Sequence, residues 1–158
     1  MNIFRPMNMI TLFVSLLLAA CSAGSSSNSQ TVEKAVVISE TEFKQLVMNY
    51  EANPQEWIFK GELPTIVNFT ADWCAPCRRM APIFDALARE YQGRVNIFKV
   101  NVDHSRNLAG YFGIRSIPTT LFCPMKGLPA LHPGTLTREQ LVEAIENFLL
   151  GGDRVYHD

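Results

Sequence analysis

The chain has 158 residues, a formal net charge of -1, and 47% apolar against 18% charged residues. This length fits one domain with short appendages, and this composition excludes a chain that is mostly disordered. The 14 Lys and Arg residues nearly balance the 15 Asp and Glu residues, so no basic excess indicates nucleic-acid binding. No apolar run reaches the roughly 18 residues that a membrane-spanning helix needs.

Residues 1–20 have the layout of a secretory signal peptide. Arg5 is their only charged residue, and the apolar stretch 10–20 ends in the small residues Ala19 and Ala20. A short membrane anchor is the competing interpretation, but this stretch would make a helix of only about 16 Å. We therefore predict a signal peptide over residues 1–20.

The end of this segment, Leu18-Ala19-Ala20-Cys21, resembles the lipobox of bacterial lipoproteins. The resemblance implies cleavage before Cys21, a diacylglyceryl thioether on Cys21 and acylation of the new amino terminus. Ordinary secretion, with Cys21 merely nearby, is the alternative. Residues 21–34 are predicted to be a Ser-rich tether, in which a flexible ten-residue segment has a reach of roughly 15–20 Å. We thus expect an extracytoplasmic, periplasmic protein that is lipid-anchored to a bacterial membrane.

The rest of the sequence alternates between strand and helix periodicity, which predicts one α/β domain over residues 35–150. Ala35 to Ile38 is a short apolar run, and Ser39 and Glu42 form a capping box that opens a helix. That helix is predicted to end at Asn53-Pro54 and to carry Phe43, Leu46, Val47 and Tyr50 on one face.

Thr65 to Thr70 is predicted to be a central strand, and a helix is predicted from about Cys74 to Tyr91. A capping box at Thr137 and Gln140 opens the last helix. Residues 151–158 are predicted to form a C-terminal tail. The remaining predicted elements are a strand over 95–102, a short helix over 107–112, and a hairpin of strands 119–122 and 128–132.

The chemistry of the sequence is concentrated in Trp73-Cys74-Ala75-Pro76-Cys77, which follows a predicted strand and opens a helix. A helix N-terminus offers unpaired backbone N–H groups and the positive end of the helix dipole, so the Cys74 thiolate should be stabilised. Cys77 is close enough to close a disulfide with it. The alternatives are an inert structural disulfide and half of a zinc site. For zinc, the candidate further ligands, all isolated, are Cys123, His104, His132 and His157.

The chain resembles the thioredoxin family in four motifs that occur in family order. They are VNFTADWCAPC at 67–77, KVNVD at 99–103, GIRSIPT at 113–119 and HPGTL at 132–136. The resemblance implies a thioredoxin fold, with a central mixed β-sheet flanked by helices on both faces in a single domain.

The resemblance also implies roles for residues. Cys74 would attack a substrate disulfide and Cys77 would resolve the mixed disulfide, with no cofactor beyond this redox-active pair. Pro118 would be cis and would present the Ile117 backbone to an extended peptide. An apolar substrate rim would comprise Trp73, Ile117, Pro118 and the backbone around Gly134.

Several positions depart from the family pattern. Asn68 stands where typical members have a buried aspartate that helps to deprotonate the second cysteine, and Asn cannot accept that proton. Lys99 matches a family lysine near that carboxylate; without the carboxylate it is a support residue or a lysine whose stem merely covers apolar surface. Ala75 and Thr70 replace a glycine and a tryptophan of many members. Cys123 is interpreted as a buried hydrophobe, with a third redox role as the alternative.

These observations predict a thiol–disulfide oxidoreductase that reduces disulfides of extracytoplasmic proteins. Trp73, Pro76, Asn68 and Lys99 would support the Cys74 and Cys77 site, and no metal is expected. Its partners would be disulfide-containing or unfolded proteins and a membrane thiol-relay protein that donates electrons. We expect a monomer that binds no nucleic acid. A periplasmic disulfide oxidase or isomerase is the first alternative, and a holdase-like peptide-binding module without turnover is the second.

Overall fold

The computed structural model describes residues 34–151. A five-stranded mixed sheet, in the order β1-β3-β2-β4-β5, forms its centre. The helices along the described chain are α1 (Glu40–Leu46), α2 (Ala75–Glu90), α3 (Arg106–Tyr111) and α4 (Arg138–Glu143). The strands are β1 (Val36–Val37), β2 (Thr65–Thr70), β3 (Asn96–Asn101), β4 (Thr119–Cys123) and β5 (Ala130–Pro133). The expected α/β fold with a mixed sheet is confirmed.

The direction of the strands gives the sheet two distinct ends. β1, β2 and β3 are parallel, whereas β4 is antiparallel to β2 and to β5. Thr65 pairs with Asn96 and Cys123, so these residues mark one end, which we call the Thr65 end. Thr70 and Asn101 mark the opposite end, which we call the Thr70 end.

Each face of the sheet carries its own apolar core, because successive strand residues point to opposite faces. On one face Ile66, Ile97 and Phe122 pack under α2 and α4. On the other face Val67, Phe69, Val100 and Leu121 pack against Phe43 of α1 and Leu108 of α3. The helices thus cover both faces, as the resemblance implies.

Helix α2 is built as its sequence predicts. Cys74 is its N-cap, Pro76 lies in its first turn, where a missing N–H costs nothing, and Tyr91 is its C-cap. The apolar face of this helix is buried throughout, with Cys77, Met80, Phe84, Leu87, Ala88 and Tyr91 all inside the domain. This helix therefore fixes the Cys74–Cys77 segment against the sheet.

The predicted length of α1 is wrong. The helix ends at Leu46 instead of Asn53-Pro54, and the Ser39–Glu42 capping box at its start is present. The carbonyl of Val47 accepts the N–H of Lys60 at 2.9 Å. Because Lys60 in the connecting segment occupies this carbonyl, the carbonyl does not accept the next helical N–H and α1 does not continue. Val47 and Tyr50 are buried beyond the helix, and Leu46 is 43% exposed.

The last helix is more irregular than its sequence predicts. Its Thr137–Gln140 capping box is present, but α4 passes at Ala144 into a π-helix that ends at Leu149. Leu141, Ile145 and Leu149 are buried, whereas Ala144 and Phe148 are only partly buried. No helix in residues 34–151 is long and apolar enough to cross a membrane. The predicted signal peptide, Cys21, residues 22–33 of the tether and residues 152–158 lie outside the described residues.

Candidate active site

The candidate site is a disulfide between Cys74 and Cys77 at the start of α2. Their Cα atoms are 5.3 Å apart. The Sγ of Cys74 accepts the backbone N–H of Cys77 at 3.2 Å, as an N-cap side chain does. In the reduced protein the same N–H and the helix dipole would stabilise a thiolate on Cys74.

Exposure does not distinguish the two cysteines, because each is 3% exposed. They pack with Ala71, and the partly buried side chains of Val102 and Ile117 cover them. The difference between them is positional. Cys74 is the N-cap, whereas Cys77 lies within the first turn, where its own N–H points at the other sulfur.

The segment around Pro118 lies beside Cys74. The Ile117–Pro118 peptide is cis, as the resemblance implies. The carbonyl oxygen of Ile117 lies 3.8 Å from the Sγ of Cys74. Gly134 donates its N–H to the carbonyl of Pro118 at 2.8 Å, with a positive φ of 98° that favours glycine. Ile117, Pro118 and Gly134 are therefore joined next to the disulfide.

Trp73 lies at the edge of the site and is 68% exposed. Its Nε1–H donates to the carboxylate of Asp103 at 2.9 Å, and Asp103 is held by a bond from its own N–H to the Asn101 side chain at 2.9 Å. Asp103 was not predicted from the sequence as a partner of Trp73. The available signal was topological, since the carboxyl ends of the neighbouring parallel strands β2 and β3 meet at one edge of the sheet.

Asn68 is buried in the middle of the sheet, 2% exposed. It lies between Lys99 of β3 and Thr120 of β4 in register. Strand alternation places it on the face of Ile66, which packs under α2. Its amide nitrogen donates to the Thr120 hydroxyl at 3.2 Å. The position that holds a carboxylate in typical members is thus a neutral pair here.

Lys99 has a partner, Asp85, that was not predicted from the sequence. Its Nζ lies 3.0 Å from a carboxylate oxygen of Asp85, and the two side chains are only 17% and 21% exposed. The same carboxylate oxygen accepts the N–H of Ala35 at 3.1 Å. Lys99 therefore ties α2 and the start of the domain to β3.

Cys123 is remote from this site along the sheet. It is fully buried at the Thr65 end and is a free cysteine. Burial without a compensating charge raises the pKa of its thiol far above the ordinary value. Because this thiol stays protonated, it is a poor nucleophile. Cys123 also lies at the end of the sheet opposite to the disulfide. Both observations agree with its interpretation as a packed hydrophobe.

Comparisons with known proteins agree with this geometry. The family model described as Thioredoxin matches residues 34–147. A thioredoxin of Borreliella burgdorferi is 34% identical over 114 residues, which cover 72% of this chain and 97% of that protein. A thioredoxin of Synechocystis is 35% identical over 99 residues, covering 63% of this chain and 92% of that protein. The solved structure of chloroplastic thioredoxin z is similar with a TM-score of 0.57 and 25% identity, covering 72% of this chain and 93% of that chain.

Proposed function

The chain belongs to the thioredoxin family, and from this premise we propose that it reduces disulfides of extracytoplasmic proteins while a lipid on Cys21 anchors it to a bacterial membrane. Family membership and the Cys74–Cys77 disulfide make it a protein-disulfide oxidoreductase. The direction of electron flow, the compartment and the partners go beyond that activity and form the proposal. The observation that carries the thiol chemistry is the Cys74 sulfur at the helix N-cap, with a backbone N–H pointing at it. The proposed direction rests on the residues between the cysteines, and the proposed compartment and anchor rest on the sequence of residues 1–21.

Reduction would proceed in two exchanges. The Cys74 thiolate attacks one sulfur of a substrate disulfide, forms a mixed disulfide and releases the other substrate sulfur as a thiolate. The Cys77 thiolate then attacks the sulfur of Cys74, which releases the second substrate thiolate and forms the Cys74–Cys77 disulfide. Two electrons pass from the dithiol to the substrate. A dithiol donor, proposed to be a membrane thiol-relay protein, must return them.

The segment beside Cys74 would hold the substrate during the first exchange. The Ile117 backbone would pair with an extended peptide as a neighbouring strand does. The exposed ring of Trp73, with Ile117 and Gly134, would provide a shallow apolar rim. Such a rim suits unfolded or extended proteins, because backbone pairing does not depend on the substrate sequence.

The residues between the cysteines favour the reducing direction. Ala75 and Pro76 supply neither a histidine nor a basic group that would further stabilise the thiolate and make the pair a stronger oxidant. Asn68 acts in the opposite sense, since its neutral amide replaces a negative charge that would raise the cysteine pKa values. This observation keeps disulfide oxidation or isomerisation as the second candidate function.

The reduction potential of the Cys74–Cys77 couple separates these candidates. Equilibration with glutathione should give a value near thioredoxin's, roughly −270 mV, if the protein is a reductase. A value of roughly −120 to −180 mV would favour the oxidase or isomerase instead. Turnover in an insulin-reduction assay tests the holdase alternative, which requires none.

Membrane attachment is tested by replacing Cys21. The proposal expects Cys21→Ser to move the protein from the membrane fraction to the soluble or precursor pool, and intact mass to show acyl chains on the wild type alone. Cys123→Ala is the matched control, because it also removes a cysteine but should leave the protein in the membrane fraction. A wild-type protein without acyl mass would refute the lipid anchor and leave the oxidoreductase activity standing.

A further inference from the structure

The turn between β4 and β5 exposes the most prominent apolar group of the described domain. Leu128 is 75% exposed, more than any other large apolar side chain in residues 34–151, and Met125 is 47% exposed. Lys126 lies between them, and Gly127 takes a positive φ of 88° that makes the turn possible. We call Met125, Lys126 and Leu128 the apolar tip.

The apolar tip projects from the end of the sheet opposite to the disulfide. Cys123, the last residue of β4, pairs with Thr65 and so lies at the Thr65 end. Cys74 follows Thr70, at the other end of β2. Along β2 these ends are about 17 Å apart at 3.4 Å per residue. The tip and the site therefore face in opposite directions.

The described chain also begins at the Thr65 end. Val36 of β1 pairs with Phe98 in a parallel register, so Lys34, just before β1, lies near the level of Asn96. β1 and β4 are separated by β3 and β2, a lateral distance of roughly 15 Å at 4.8 Å per strand. The tether predicted from the sequence has a comparable reach of roughly 20 Å. A membrane that holds Cys21 would thus be within reach of the apolar tip.

We infer that the apolar tip docks on the lipid surface to which the chain is anchored, with Leu128 and Met125 among the outer acyl carbons and Lys126 among the headgroup phosphates. This inference rests on the lipid anchor proposed above. Docking at the Thr65 end turns the Cys74–Cys77 disulfide away from the membrane, toward substrates. The anchor alone would leave the domain free to tumble, whereas a second contact fixes which end points outward.

The near balance of charges at the Thr65 end indicates that the contact between the apolar tip and the lipid surface is mainly apolar. Arg94, just before β3, is paired with Glu146, and Arg138 is paired with Glu90 at the end of α2. Glu62, just before β2, is exposed and offsets Lys126. Lys34, at the start of the described chain, adds one positive charge at this end. A single excess charge is far below the roughly four to eight Lys and Arg of a polybasic surface, so docking should depend little on anionic lipid or on salt.

Fluorescence quenching by brominated lipid tests the orientation in the full, lipidated chain. Leu128→Trp places a reporter in the tip, and Thr135→Trp is the matched control, an exposed position beyond the other end of β5. Each is reconstituted in phosphatidylcholine vesicles with or without bromine on the acyl chains, and the wild type supplies the signal of Trp57 and Trp73. The circular-dichroism spectrum and intact mass confirm that each variant is folded and acylated.

The added emission of Leu128→Trp should fall by at least about half in brominated vesicles, as for a side chain roughly 5–10 Å into the interface. That of Thr135→Trp should not change, and 0.5 M NaCl should alter neither. An acylated, vesicle-bound protein with no quenching at Leu128→Trp, or with equal quenching at both positions, would overturn the docking inference while the lipid anchor stands. A blue shift that depends on protein concentration without vesicles would assign the tip to a second copy and also overturn it. Absence of acyl mass would refute the anchor itself, and the inference with it.

Discussion

The two ends of the sheet bury cysteines to the same extent and give them different chemistry. Cys74 and Cys77 at the Thr70 end are each 3% exposed, and Cys123 at the Thr65 end is 0% exposed. The Cys74 sulfur receives a backbone N–H at a helix N-cap and lies beside the Ile117 carbonyl. Cys123 sits among apolar side chains such as Val67 and Leu121, and desolvation raises the pKa of its thiol.

The difference shows that burial alone does not determine whether a cysteine is reactive. A buried thiolate needs a compensating partner, and a helix N-terminus provides one in the backbone itself. Where no such partner exists, the low dielectric of the core keeps the thiol protonated and inert.

The largest effect on insulin reduction should come from replacing either cysteine at the Thr70 end. Cys74→Ser should lower the rate of insulin reduction at least about 100-fold, because the covalent route loses its nucleophile. Cys77→Ser should instead accumulate mixed disulfides with substrates, visible on non-reducing gels, because resolution is lost. Trapping by Cys74→Ser and not by Cys77→Ser would reverse the assigned roles.

A negative charge at position 68 should destabilise the Cys74 thiolate. In Asn68→Asp a buried carboxylate would raise the Cys74 pKa by about one unit and lower the reduction potential by about 30 mV, because it opposes the thiolate of the reduced form. Mixed-disulfide release should be faster, since the carboxylate can take the proton of Cys77. Thiolate absorbance, equilibration with glutathione and stopped flow measure these three quantities.

Asn96→Asp is the matched control for this change, because it makes the same substitution at the Thr65 end. It should leave the Cys74 pKa and the potential as in the wild type. If Asn68→Asp also leaves both unchanged, position 68 is electrostatically remote from the cysteines and the argument from the missing carboxylate fails.

A smaller effect on insulin reduction is expected when the hydrogen bond from Trp73 to Asp103 is removed. Asp103→Ala removes the acceptor of the Trp73 indole N–H, and the KM for insulin should rise about threefold, the equivalent of one modest hydrogen bond. The kcat and the reduction potential should stay unchanged, because Asp103 does not contact the sulfurs. Asp103→Asn keeps an acceptor and should restore the KM. The indole N–H resonance of Trp73 should move in Asp103→Ala while that of Trp57 stays fixed; a change in kcat alone would contradict the positioning role.

The smallest effect on activity should come from the Thr65 end. Cys123→Ala should leave insulin reduction intact and cost about 1 kcal/mol in the free energy of unfolding, since the volume removed is small. In the folded wild type, iodoacetamide should not label Cys123 at pH 9, because its raised pKa keeps it protonated. A tenfold loss of activity in a stable Cys123→Ala protein would show a redox role.

The raised pKa of Cys123 also predicts a pH dependence. Above about pH 8.5 the unfolded chain loses the thiol proton and the folded chain keeps it, so stability falls as pH rises. The advantage of the wild type over Cys123→Ala should therefore shrink by about 1–2 kcal/mol between pH 8.5 and 10. Denaturant unfolding at both pH values measures it; a constant difference would mean that the thiol ionises normally in the fold.

The helices and strands were predicted best where a short sequence pattern, such as a capping box or an apolar run, favours one backbone conformation. The two capping boxes, the strand Thr65–Thr70 and the buried face of α2 are all present. The end of α1 was not predictable locally, because the group that terminates the helix comes from Lys60, which donates to the Val47 carbonyl. The π-helix after Glu143 likewise has no local signal in the sequence.

The sequence by itself determined the redox pair, its place at a helix start and the family, because these depend on residue type and short spacing. Only the tertiary structure decided the partners that lie far apart along the chain: Asp103 for Trp73, Thr120 for Asn68 and Asp85 for Lys99. Which strands become neighbours, and in which register, depends on the packing of the whole sheet. The same packing put Cys123 and the apolar tip at one end and the disulfide at the other, a separation that residue spacing does not contain.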